Sequence, residues 1–469
     1  MRGLSVGAAA ATLDGGQRFL QAALAIAGEL AAAGPDWTGD DLIGETSATA
    51  RVVRRACGDG LYAGGAGIGA FLVQAAQVGA DPALAWCGSQ ALDGALARAL
   101  GSAPGASQPA AQPPRNPPRP QPRDLSLYNG DAGIALAAHE AGRRCGDPAL
   151  VARSTALAQR VVVDLERLGP GAEHDLIGGV AGTLIALLAI SAHEPEAAPR
   201  WAPTLCRLAD ALCDRARPHA LALYWPDPTA AAGAPGLCGM AHGASGVGWA
   251  LDEAAWVIGH CSAADSGRWR HVAAAARLYE RSWFDPATSH WPDLRELPAT
   301  PGAVPPPICA WCHGGVGIGA ARWRRYSQHG QLPDLAEASA CQQGARKAVA
   351  QAQVTLGSGA ALDTSLCHGL AGLAELFLLA FEATGVPEHL LAARRVGELM
   401  LASHQQRGSW GPGLAGTTDV PGLMVGRAGT GTTLLRLHDV RSAPSPLLPG
   451  YGVGVPGAPK PKLNRSASA

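Results

Sequence analysis

Aromatic side chains are scarce in this chain: Trp, Tyr and Phe make up 5% of its 469 residues. A core built around large rings is therefore excluded, and small aliphatics must fill many closely spaced elements. An excess of either charge is missing too. With 37 Lys and Arg against 38 Asp and Glu, neither a basic footprint for nucleic acid nor an electrostatically held membrane surface is expected. No apolar run reaches the roughly 20 residues that span a bilayer, the closest being Val180 to Ile190, so no integral membrane segment is expected. The first residues offer one Arg and a short apolar stretch ended by Asp14, too little for a secretory signal, and the expected location is cytoplasmic. There the eleven cysteines, an odd number, read as reduced thiols or metal ligands rather than a disulfide framework. No glycine motif has the Lys-Ser/Thr or strand context of a phosphate loop, so no nucleotide or organic cofactor is implied.

What the chain does have is Ala, Gly and a repeat. Gly-x-x-Gly followed by an apolar stretch occurs seven times: LYAGGAG at 61, LYNGDAG at 127, LIGGVAG at 176, MAHGASG at 240, WCHGGVG at 311, LCHGLAG at 366 and LMVGRAG at 423. The copies are 49 to 71 residues apart, the length of one helical hairpin with its loops. The stretch after each motif is apolar nearly all round, as a helix buried on every side requires. The stretch before it is more amphipathic: Gly15 to Leu30, Leu84 to Leu100, Pro148 to Leu168, Ala202 to Arg217, Trp269 to Phe284, Ala338 to Gln353 and Pro387 to Ser403. Seven inner and seven outer helices in alternation predict an all-α, double-layer α/α toroid. It must close, because an open array would expose the inner face of each terminal hairpin. Residues 1–440 form this single domain, and each motif glycine lets the backbone bend and pack near the axis. Two segments stand outside the repeat: a Pro-rich insertion at 102–123 and a Pro, Gly and Ser-rich tail at 441–469, expected to be disordered.

Function must lie where the copies differ. The two residues before the first glycine are Tyr62-Ala63, Tyr128-Asn129, Ile177-Gly178, Ala241-His242, Cys312-His313, Cys367-His368 and Met424-Val425. Only the fifth and sixth copies carry Cys-His, and equivalent positions in neighbouring copies converge on one mouth of the barrel. Thiolate and imidazole are the preferred ligands of zinc, and a catalytic site uses three protein ligands and keeps one position open. Four side chains compete for those three places, and repeat symmetry does not choose among them. Buried, inert cysteine is the alternative for either Cys alone, but two pairs at matching positions favour a metal. His242, in the neighbouring copy, faces the same mouth and suits a general acid or base. Asp175, four residues before Gly179, either orients an imidazole or caps its loop.

The motifs GMAHGASG around His242, AWCHGGVGIG around Cys312, LCHGLAG around Cys367 and HDLIGGVAG at Asp175 resemble those of the lanthionine synthetase C family, cyclases that form thioether rings in lanthipeptides. The resemblance covers roughly residues 15 to 440. WCHG, in place of the Trp-Cys-Tyr-Gly of many stand-alone cyclases, is similar to the cyclase half of bifunctional class II synthetases. So are ERSWFDP with WPDLR at 280–295 and LMVGRAGTGTTLLRLHD near the end. The resemblance implies zinc on Cys312, Cys367 and His368, and acid/base roles for His242 and Asp175. His313 replaces a frequent tyrosine beside them and is carried as a third catalytic candidate. No dehydratase domain precedes Gly15, so the expected partners are a dehydrated precursor peptide and a separate dehydratase, whether the chain is free-standing or the remnant of a split gene.

By the same resemblance a peptide cysteine attacks the β-carbon of dehydroalanine or dehydrobutyrine, and the resulting enolate is protonated at the α-carbon. Two thiolates and a neutral imidazole cancel the metal's charge, which suits thiol alkylation better than hydrolysis. Two rivals remain: addition of glutathione to dehydrated residues, and a non-catalytic scaffold whose zinc takes His313 as a fourth ligand.

Overall fold

The computed structural model of the protein describes residues 6–43, 50–101, 123–171, 173–227, 230, 233–261, 266–295 and 307–451. The insertion at 102–122 and the tail beyond Tyr451 lie outside the described residues.

Among the described residues fourteen helices alternate between the two layers. The inner ones are α2 (Gly65–Gly79), α4 (Asp131–Cys145), α6 (Val180–Ser191), α8 (Ala244–Cys261), α10 (Gly315–His329), α12 (Leu370–Thr384) and α14 (Arg427–His438). The outer ones are α1 (Val6–Ala32), α3 (Pro82–Leu100), α5 (Pro148–Leu168), α7 (Ala198–Arg215), α9 (Gly267–Trp283), α11 (Leu332–Gly357) and α13 (Pro387–Arg407). Each inner helix packs on its inner neighbours, and α14 returns to α2. The toroid is closed, as the repeat requires. Local chemistry sets the hairpins: Asp81 and Asp147 cap α3 and α5, each accepting two backbone N–H groups ahead of a proline in the first turn. Glycines in the left-handed conformation end several of the helices, Gly146 and Gly385 among them.

The seven motif loops also bond to one another. Tyr62 N–H donates to the Tyr128 carbonyl, Tyr128 to Ile177, Leu176 to Ala241, Met240 to Trp311, Trp311 to Cys367, Cys367 to Met424, and Met424 back to Tyr62, at 2.8–3.2 Å. This belt of main-chain hydrogen bonds explains the glycines. The first glycine of the motifs has ordinary extended backbone, so close approach rather than left-handed freedom selects it. A Cβ on the second glycine of any copy would press into the carbonyl of the residue six positions earlier. At Gly133 the intrusion, into Leu127, is the worst. Gly133→Ala is expected to cost about 3 kcal/mol or more and to lower the melting midpoint by several degrees. Gly28→Ala, where a Cβ meets nothing within 4 Å on the exposed face of α1, gains about 1 kcal/mol. Equal melting midpoints for the two variants would defeat this explanation of the repeat.

Among the described residues three short antiparallel strand pairs decorate the all-α frame: β1 (Thr38–Ile43) with β2 (Arg51–Ala56), β3 (Arg217–His219) with β4 (Ala222–Tyr224), and β5 (Trp291–Pro292) with β6 (Pro307–Ile308). Each follows an outer helix and precedes a motif, so all three frame the mouth end.

Of the tail expected to begin at residue 441, residues 441–451 are described and pack among the inner helices, while those from 452 onwards lie outside the described residues. Leu447 and Leu448 are fully buried, and Trp311 Nε1 donates to the Leu447 carbonyl at 3.1 Å. Ser445 donates to Glu375, Arg436 donates to the carbonyls of Val440 and Ala443, and Tyr451 lies edge-on to Trp249. A few apolar side chains hold this segment, and its carbonyls are bonded by Arg144 and Arg436 of inner helices, by the Trp311 indole and by N–H groups of the segment itself.

Candidate metal centre and acid/base pair

Copies five and six are neighbours in the belt, Trp311 N–H donating to the Cys367 carbonyl at 2.8 Å. Their Cys-His pairs therefore meet at the mouth. Ligand atoms of Cys312, Cys367 and His368 all lie within 4.8 Å of one another, and both cysteines are buried and free of disulfides. His313 is not part of this cluster. It is buried, its Nδ1 has no hydrogen-bond partner, and it stacks on His242 with ring centroids 5.6 Å apart. Of the four side chains that sequence symmetry left in competition, the structure gathers three.

The three are held from behind. His368 Nε2–H donates to the Gly413 carbonyl, with the Asp363 carboxylate 3.6 Å away, which leaves Nδ1 as the nitrogen available to a metal that displaces its proton. Tyr62 donates its hydroxyl proton to the Cys367 sulfur at 3.3 Å. A hydrogen bond from Cys367 holds the Cys312 thiol far below its ordinary range despite burial, and the same contact, reinforced by burial, pushes Cys367 up. Burial opposes protonation of His368, but the Cys312 sulfur and the Asp363 carboxylate lift its pKa to about 9.

Donor type and spacing both fit a zinc ion about 2.0–2.3 Å from each ligand. Two buried sulfurs that must otherwise share one proton are better satisfied by a divalent cation, which replaces that proton.

Beside this cluster, Asp175 Oδ2 accepts from His242 Nδ1–H at 2.5 Å, while Oδ1 accepts from Gly178 N–H at 2.8 Å. The two sequence-level roles for Asp175 are both filled, one by each oxygen. With Nδ1 committed, Nε2 of His242 is the nitrogen free to exchange protons. Burial works against protonating His242, yet the Asp175 hydrogen bond and charge, with the Cys312 sulfur adding to them, raise its pKa above 6.5. Burial also works against ionising Asp175, but its bond to His242 keeps it below 3.8. His313, by contrast, is pushed down to about 4 by burial and stays neutral.

Sequence reasoning did not single out Tyr62, Asp363 or Gly413. Tyr62 was visible in principle, since it occupies in copy one the position that Cys312 and Cys367 occupy in theirs. Asp363 and Gly413 carried no such mark.

Fold and site together define a helical toroid with a cysteine and histidine cluster at its mouth, next to a carboxylate-oriented histidine. A profile described as lanthionine synthetase C-like protein matches residues 56–448, and the chain belongs to that family. It resembles the solved structure of nisin cyclase with a TM-score of 0.53 and 17% identity, over 82% of this chain and 89% of that one, a likeness of fold. No curated protein matches the chain in sequence. Among the described residues no helix is long and apolar enough to cross a membrane.

Proposed function

We propose that this chain is a zinc-dependent lanthipeptide cyclase, forming lanthionine and methyllanthionine by adding peptide cysteines to dehydroalanine or dehydrobutyrine. The observation that carries the proposal is the convergence of Cys312, Cys367 and His368, with His313 standing apart on His242. A three-donor set suits catalysis, because a structural zinc takes four protein ligands.

Cys312, Cys367 and His368 would hold zinc, which when bound would supply a substrate cysteine as thiolate near neutral pH, where a free thiol of pKa about 8.5 is mostly protonated. The addition is proton-neutral overall: the thiol loses one proton, a carbon–sulfur bond forms at the β-carbon, and the α-carbon gains a proton. A single group with a pKa near neutrality can serve either end, and His242 Nε2 is that group. Asp175 fixes its tautomer and direction. His313 lies flat against the His242 ring and stays uncharged beside it, limiting its rotation without competing for the proton.

Two measurements test the proposal. Purified protein should contain one zinc, and a dehydrated peptide bearing a cysteine should lose its alkylatable thiol without change of mass, since cyclisation is an isomerisation. A mass gain on adding glutathione, with the peptide thiol untouched, would favour the rival reaction.

The pH profile gives a further check. The limb of the rate profile that reports His242 should turn over above pH 6.5, because its pKa is raised. In Asp175→Asn the carboxylate no longer opposes burial, so the turning point should drop and the rate fall about 10–100-fold. An unmoved turning point would remove Asp175 from the site.

A further inference from the structure

Tyr62 comes from the first motif, yet its hydroxyl reaches past copy seven to the sulfur of Cys367, 305 positions away in sequence. Its backbone is fixed by the belt on both sides: its N–H donates to Tyr128 and its carbonyl accepts from Met424. Its ring is fixed by an edge-on contact with Tyr128, centroids 5.9 Å apart, and Tyr128 in turn meets Trp311 edge-on at 5.5 Å. Trp311 immediately precedes Cys312 in sequence. An arc of three aromatic side chains therefore runs behind the cluster from one cysteine to the other and ends in a hydroxyl donated to sulfur. In a chain with so few aromatics, three at equivalent or adjacent positions of copies one, two and five are a concentrated investment.

We infer that Tyr62 is a positioning residue for the metal centre, holding the Cys367 sulfur in place and drawing charge from it through an O–H to sulfur hydrogen bond. The inference rests on the zinc reading of the site and adds to it an asymmetry between the two cysteines. Tyr62 lends a proton to Cys367 alone, so Cys312 is left as the more electron-donating sulfur. Hydrogen bonds to a ligand atom orient it and tune the ion, and a donor to sulfide weakens that sulfur's donation to metal. Fully donating thiolates would saturate the ion and loosen its hold on a third, substrate sulfur. Withdrawing charge from one of them restores room for that sulfur to bind before it attacks carbon.

The test uses cobalt in place of zinc, because thiolate-to-cobalt charge-transfer absorption reads sulfur charge directly. Tyr62→Phe keeps the ring and removes only the hydroxyl. It should still bind one cobalt and its thiolate band should move to longer wavelength; although that sulfur then donates more strongly, it is no longer held in place, and zinc affinity should fall about tenfold. Tyr128→Phe, which removes a buried hydroxyl with no partner, should leave the band where it is and serves as the control for packing. If Tyr62→Phe fails to fold, full-length protein grown with 3-fluorotyrosine, whose O–H is a stronger donor, should shift the band to shorter wavelength. A metal-loaded Tyr62→Phe protein with an unshifted band, or an equal shift in Tyr128→Phe, overturns the inference while the zinc reading stands. Absence of any thiolate band in the wild-type protein overturns the zinc reading and this inference with it.

Discussion

Cys312→Ala is expected to purify without zinc and to lose ring formation by at least about 10³-fold, since a catalytic metal contributes several kcal/mol of transition-state stabilisation. The physical ground is the donor set. Removing one sulfur leaves Cys367 and His368, and two ligands do not hold zinc against water. Cys312 is 9% exposed and loses a single atom in this variant, so the toroid should survive, which an unchanged melting profile would check. Zinc at the wild-type stoichiometry in folded Cys312→Ala would remove this residue from the metal site.

His242→Ala should behave in the opposite way towards the metal. Its imidazole bonds to Asp175, not to the cluster, and its side chain is 44% exposed. Zinc content should therefore be unchanged while the rate of ring formation falls by about 10²–10⁴-fold, the usual weight of a positioned acid or base. The two variants separate metal binding from proton transfer. Full activity in zinc-loaded His242→Ala would reassign the proton to another group, and loss of zinc would show the two sites to be one.

The fold was legible because its constraint repeats. The second glycine of each motif meets the equivalent backbone carbonyl, and seven copies of one steric demand leave seven identical marks. Cys312, Cys367, His368 and His242 were legible for the converse reason, as departures from that uniformity at one position. What could not be read are contacts between unlike parts of the chain. Gly413, in the loop before copy seven, offers His368 only a carbonyl, which every residue has. Inner helices expected to be apolar on all sides carry Arg322 and Arg436, both almost inaccessible to solvent. Arg322 pairs with Glu280 of α9 and Glu337 of α11, and Arg436 with Glu375 and Glu382 of α12. A buried guanidinium is tolerated only with such partners, and nothing in the local sequence announces them. The ordered tail escaped notice similarly, its composition giving no sign of the cavity that receives it.

That tail has a consequence for traffic. Residues 439–451 pack against inner helices from different parts of the ring, with Arg436 of α14, Glu375 of α12 and Trp249 of α8 among their partners, so its middle is not an empty channel. On the reading proposed above, a precursor peptide would enter and withdraw at the mouth rather than be threaded through the centre, and each new thioether would need a fresh approach of the chain to the metal site.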